Sequence, residues 1–71
     1  MKPNALNYNP DPEYLRELIA KTGMTQAEVA RRIGIDGRSI RRYLASTAAA
    51  TYITAPYTVQ FAIECLAEYC E

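Results

Sequence analysis

Two helix-start signals, Thr25 and Asp36, stand eleven residues apart with a single glycine, Gly34, between them. That spacing leaves room for one short helix, a tight turn and the start of a second helix. Thr25-Gln26-Ala27-Glu28 has the form of a capping box, in which the threonine hydroxyl accepts from the amide three residues on and the glutamate reaches back. Val29, Ala30 and Ile33 follow on one helical face, and Gly34 closes the helix by supplying the positive φ that such a turn needs. Asp36 is the next cap. The helix after it is expected to run from Gly37 to about Ala45, with Ile40 and Leu44 inward, Arg38 and Arg42 one turn apart on the opposite face, and Arg41 on a flank.

Several demands are met together here. The first helix of the pair carries a small residue, Ala30, where the second must cross it. The turn holds glycine, Ile35, Ile40 and Leu44 lock the second helix across the first, and hydrogen-bond donors line its outer face. Two helices joined in this way are the helix-turn-helix arrangement, whose second helix enters the major groove of DNA. Arginine makes two parallel hydrogen bonds to O6 and N7 of guanine. Arg38, in the first turn, is therefore expected to be the main base reader, and the missing side chain of Gly37 lets that helix start approach closely. Arg42 is expected on a base or a phosphate, Arg41, Ser39 and Gln26 on phosphates, and Tyr43 either at the edge of the core or on a phosphate. Arg31 and Arg32, late in the first helix of the pair, are read as complements to its dipole.

The flanks complete an all-α domain of four to five helices. Residues 1–10 contain Pro3, Pro10 and three asparagines without any period, and read as a flexible arm before a domain over residues 11–71. Asp11-Pro12-Glu13 starts a helix, Tyr14, Leu15, Leu18 and Ile19 continue it, and Gly23 ends it. Residues 46–55 read as a linker, and Pro56 opens a last helix that runs to about Cys70.

Charge and cysteine usage narrow the function classes. The formal net charge is zero, yet residues 31–42 hold five arginines against the one acid Asp36, whereas the last helix carries Glu64, Glu68 and Glu71 and no base. The chain is thus polarised, with a basic middle and an acidic end. It has no histidine, so a zinc site lacks ligands, and no paired acids or glycine-rich phosphate loop provide a catalytic constellation. Neither a cofactor nor a small-molecule effector is called for. Cys65 and Cys70, five apart on a helix, point roughly 140° away from each other and are read as apolar filler. Thiols without a signal peptide point to the cytoplasm, and no apolar run approaches the ~20 residues that span a bilayer.

The last helix has more apolar surface than one core can use. Gln60, Glu64, Glu68 and Glu71 form one polar stripe. Val59, Ala62, Ile63, Leu66 and Cys70 group on one side, and Phe61, Cys65 and Tyr69, with Thr58, on another. A helix covering a single core needs little more than ~100° of apolar arc. The second side is therefore expected to pair with a second copy, giving a homodimer on a palindromic operator. The rival reading is a protein-interaction or antitoxin-type module whose basic helix meets an acidic partner.

Three segments carry a resemblance: Asp11-Pro12-Glu13-Tyr14-Leu15-Arg16, Gly34-Ile35-Asp36-Gly37-Arg38 and Ala55-Pro56-Tyr57-Thr58-Val59-Gln60-Phe61-Ala62-Ile63-Glu64-Cys65-Leu66-Ala67. The chain resembles the anti-CRISPR-associated regulators of phages and mobile elements over about residues 11 to 69. The resemblance implies a Cro-type fold that dimerises through its C-terminal helix. It further implies a repressor, acting in the cytoplasm of a bacterial host, that binds inverted repeats at the promoter of an anti-CRISPR operon and represses its own gene there. Arg38 matches the arginine that contacts DNA in that family. The chain departs from the pattern at Ala27 and Glu28, where basic residues are usual, and at Arg42, where an aromatic is usual. The phosphate grip is thus expected to shift from the first helix of the pair to the second.

Overall fold

Local chemistry accounts for the helix boundaries in the computed structural model, which describes residues 2–69. Among these residues the regular structure is helical: a 3-10 turn at Ala5–Asn7, then α1 (Pro12–Thr22), α2 (Gln26–Ile33), α3 (Gly37–Tyr43) and α4 (Tyr57–Tyr69). The expectations placed on Cys70 and Glu71 lie outside the described residues. Asp11 caps α1 by accepting from the Glu13 amide at 3.0 Å, Pro12 occupies the first turn, and Gly23, at φ 71°, ends it. At the start of α2 the Thr25 hydroxyl accepts from the Glu28 amide at 3.1 Å. The Glu28 carboxylate turns to Arg31 and Arg32 and not back along the chain as a full capping box would have it. Gly34, at φ 85°, lets its own amide and that of Ile35 both reach the Ala30 carbonyl, at 3.0 and 2.9 Å.

Helix α3 ends at Tyr43, two residues short of the expected Ala45. The Arg42 carbonyl is taken up by the amides of Ala45 and Ile53, each at 3.3 Å, which bends the chain into the turns of residues 44–51 and draws the segment before α4 alongside α3. Arg16 reaches across from α1 to donate to the Leu44 carbonyl, one of the orphan acceptors left where α3 stops.

The core is built from Leu15, Leu18 and Ile19 of α1, Val29 and Ala30 of α2, Ile40 and Leu44 of the α3 region, and Val59, Ile63 and Ala67 of α4, with Ala55 sealing the linker side. Helix α1 packs on α4, and α2 packs on both α3 and α4. Ala30 is fully buried at the crossing with α3, where a larger side chain would push the pair apart. A domain of this length is stable by only about 4–10 kcal/mol. Truncating one fully buried side chain such as Leu15 to alanine costs about 2–5 kcal/mol, so single core positions decide whether the chain folds.

Two features differ from the sequence reading. Gln60, which the helical wheel places in the polar stripe, is completely buried, and Glu64 beside it is half-buried. The core arc of α4 is therefore rotated toward this stripe. Val59 and Ile63 lie inside as expected, Ala67 joins them, Leu66 packs at the edge and Ala62 is partly exposed. Burial of Gln60 is tolerable because its amide is satisfied. Its Oε1 accepts from the Asn9 amide at 2.7 Å, and its Nε2 donates to the Asn7 carbonyl at 2.9 Å and to Glu64 Oε2 at 3.1 Å. Tyr14 of α1 also donates to Glu64, and this hydrogen bond, with burial second, pushes the phenol up to about 12.

The same contacts anchor the segment read as a flexible arm. The Asn4 amide donates to Tyr57 Oη at 2.7 Å, the Tyr8 hydroxyl donates to the Ala55 carbonyl, and the Tyr8 ring meets Tyr57 edge-on at 6.2 Å. Residues 4–9 thus lie along the first turns of α4.

Candidate nucleic-acid interface

Thr25 and Asp36 bring the starts of α2 and α3 to one side of the molecule. Between them runs a shallow groove of about 300 Å³ lined by Thr25, Gln26, Ala27, Gly37, Ile40 and Arg41. The first turn of α2 lies along one side of this groove, with the partial positive charge of a helix start. Gln26 is exposed at its rim, and Arg41 flanks it from α3.

Arg38 and Arg41 are exposed and Arg42 is half-buried. Among the described residues none of the three forms an ion pair. They contrast with Arg31 and Arg32, both held by Glu28. Arg31 Nη2 lies 2.6 Å from Glu28 Oε2 and Arg32 Nε 3.2 Å from the same oxygen. The Arg31 hydrogen bond, followed by that of Arg32, holds the Glu28 carboxyl below the usual carboxylate range. Arg31 and Arg32 thus share one carboxylate, and α3 adds three further arginines to the basic segment.

Asp36 is the acid set against this charge, and it has a structural task. Its Oδ1 accepts from the Ser39 amide at 2.6 Å. That bond, then the Ser39 hydroxyl, then the nearby charges of Arg38 and Arg42 hold the Asp36 carboxyl below its ordinary value. Ser39 is thereby tied into the start of α3 through its backbone amide. Tyr43 is half-buried and packs against the core from the end of α3. The geometry brings Gln26, Gly37 and Arg41 together around one groove with Arg38 beside it, and places Ser39 and Tyr43 in contacts within the fold.

Gly37 is informative because nothing inside the protein requires it. Its φ is not positive, unlike those of Gly23 and Gly34, and a Cβ built on it meets no atom within 4 Å. Glycine at the first position of α3 is thus required neither by its backbone conformation nor by a close contact within the fold. The bare backbone at this point leaves room for something outside the chain.

Arg16 escaped the sequence reading. It lies on α1, well away from the basic segment, and only the fold shows it holding the C-terminal end of α3. The outward residues of α4 form a separate surface: Thr58 and Tyr69 are exposed, and Phe61 and Cys65 are half-buried. Among the described residues no group of three or more His, Cys, Asp or Glu side chains is placed to hold a metal ion, and no helix is long and apolar enough to cross a membrane.

Comparison with known protein families matches residues 14–55, more than half of the chain, to the helix-turn-helix family. The matched span runs from α1 to the end of the linker and leaves out residues 2–10 and α4. No similar protein is found among curated proteins.

Proposed function

The chain belongs to the helix-turn-helix family, whose domains are DNA-binding regulators, and from that premise we propose that it is a sequence-specific transcriptional repressor. It binds an inverted repeat as a homodimer of the Cro type. The repeat lies at the promoter of its own operon, which is an anti-CRISPR operon in the cytoplasm of a bacterial host. The observation that carries the reading is α3 itself, where Arg38 and Arg41 stand exposed and, among the described residues, without ion pairs, beside a glycine whose Cβ position meets no atom of the fold within 4 Å. Arg38 reads a guanine edge in the major groove and Arg42 follows one turn later. Arg41 and Gln26 take phosphates on either side of the groove between α2 and α3, aided by the α2 helix start. The outward side of α4, with Thr58, Phe61, Cys65 and Tyr69, joins two copies so that two α3 helices reach successive major grooves. The regulatory target rests on the resemblance of the α4 segment to the anti-CRISPR-associated regulators.

Fluorescence anisotropy on a duplex carrying an inverted repeat from the upstream promoter, against a scrambled duplex and over a salt series, tests the reading. Arg38→Ala should lose about 1–3 kcal/mol of specific binding and relax the preference at one position of each half-site. Arg41→Ala should weaken both duplexes alike and flatten the salt dependence by about one unit of slope. Equal affinity of the wild type for both duplexes at every salt concentration would defeat sequence-specific repression.

A further inference from the structure

The segment anchored on α4 leaves a side chain in an unusual position. Leu6 is 92 % exposed, although the residues around it are fixed to the body of the protein. The Asn4 amide is bound by Tyr57 on one side of it, and on the other Tyr8 is bound by Ala55 and meets the Tyr57 ring edge-on. Its own amide donates to Asn4 Oδ1 at 3.0 Å. Ordering each backbone residue costs about 1–2 kcal/mol of conformational entropy. Here that ordering holds a leucine out in water.

The aromatic contacts continue from this segment along the helix. Tyr57 lies 6.2 Å from Tyr8 and 6.1 Å from Phe61, and Tyr69, further along α4, is 86 % exposed. Residues 3–10 contain no charged side chain, and neither do Tyr57, Thr58, Phe61, Ala62, Cys65 and Tyr69. A charge-free surface rich in aromatic residues has the composition of an interface centre. Lys2 lies just before this segment in the chain, and Glu68, exposed, lies in the last turn of α4.

Area decides what α4 can do alone. Thirteen residues make a helix about 20 Å long and about 10 Å across, so one side of it hides roughly 300–400 Å², whereas stable association takes about 800 Å² from each partner. We propose that residues 2–8 supply the missing area: the surface formed by Leu6, Tyr8, Phe61 and Tyr69 receives a second copy of this chain. The inference rests on the reading of the protein as a homodimer and adds the anchored segment to its interface. The two α4 helices cross antiparallel about a two-fold axis, so that Leu6 of each copy covers the last turns of the other copy's α4. Lys2 of one copy then faces Glu68 of the other, and the pairing is complementary in charge as well as in shape.

Sedimentation equilibrium on the full chain tests this with Leu6→Glu and Tyr69→Glu beside the wild type. Both side chains are exposed in the single copy, so neither change disturbs its fold, and far-UV circular dichroism checks this. Leu6→Ser replaces Leu6→Glu if the spectrum changes. The expected result is a wild-type dimer whose dissociation constant rises at least tenfold in each variant. A rise for Tyr69→Glu with Leu6→Glu within twofold of wild type would overturn the role of the segment and leave the α4 dimer standing. A wild type that stays monomeric at 100 µM would overturn the dimer itself.

Discussion

Replacing Gln60 with leucine removes one side-chain amide from the inside of the protein and little else, since the two residues have similar bulk. Gln60 is fully buried and makes three hydrogen bonds, two to the backbone of Asn7 and Asn9 and one to the Glu64 carboxylate. A neutral hydrogen bond contributes about 0.5–1.5 kcal/mol net and one to a charged group about 1.5–3 kcal/mol, so the gross loss is about 2.5–6 kcal/mol. Two effects offset it. Asn7 and Asn9 are exposed residues, so water can reach the backbone groups that Gln60 releases, and the buried leucine gains apolar transfer energy. The net destabilisation is then about 1–2 kcal/mol, which lowers the Tm of a domain this size by roughly 4–16 °C. Thermal denaturation followed by circular dichroism measures the shift, and hydrogen exchange at the Asn9 amide shows whether the segment has come away from α4. Apolar replacement of a buried polar group is sometimes stabilising. A Gln60→Leu protein with an unchanged or higher Tm and unchanged exchange at Asn9 would refute the view that this amide anchors residues 7–9.

Two glycines with open space around them should respond in opposite directions to alanine. Gly34→Ala forces a side chain onto φ 85° and should cost about 1–2 kcal/mol, read as a lower urea midpoint, whereas Gly37→Ala should stabilise by up to about 0.5–1 kcal/mol. In an anisotropy titration the same Gly37→Ala protein should bind its duplex about tenfold more weakly, a loss of about 1.4 kcal/mol; affinity equal to wild type would show that α3 does not approach DNA at its first residue. Acid should loosen the start of α3. The folded Asp36 carboxyl lies below its unfolded value, so its contribution is fully present above the unfolded pKa, about 3.9, and is lost as pH falls through the lower folded value. Asp36→Asn keeps a capping side chain and should show a shallower stability loss than wild type below about pH 4 in urea titrations.

The helix boundaries near the groove were legible because each is written in adjacent residues. Asp11-Pro12, Thr25, Gly34 and Asp36 act over one to four positions, where cap geometry and positive φ have strong chemical preferences. The α3 pattern of Arg38, Ile40, Arg42 and Leu44 was readable for the same reason. The place of Gln60 was not, because a glutamine on a helical wheel counts as polar until its partners are known, and those partners lie 51 and 53 residues away in sequence. Residues 4–9 show no period since their order comes from hydrogen bonds to α4, not from a face of their own. Arg16 is a further case. Its partner carbonyl is 28 residues away and belongs to the backbone, which no side-chain pattern discloses. Even Glu28 was half legible. Its position fits a capping box, but two guanidinium groups on the next turn compete for its carboxylate and win it.

That competition has a kinetic side. Any duplex, whatever its sequence, attracts exposed cations, and a regulator that grips random DNA strongly spends its time on the wrong sites. Glu28 draws in Arg31 and Arg32, so if α3 reads bases as proposed, the arginines on the reading helix are the ones of the basic segment without a carboxylate bound to them. Under that proposal, electrostatic capture and sequence inspection share the α3 ridge, and a wrong site that fails inspection is held less strongly than it would be by five free arginines. On this view one carboxylate shortens each mistaken stop and speeds the search for the right one.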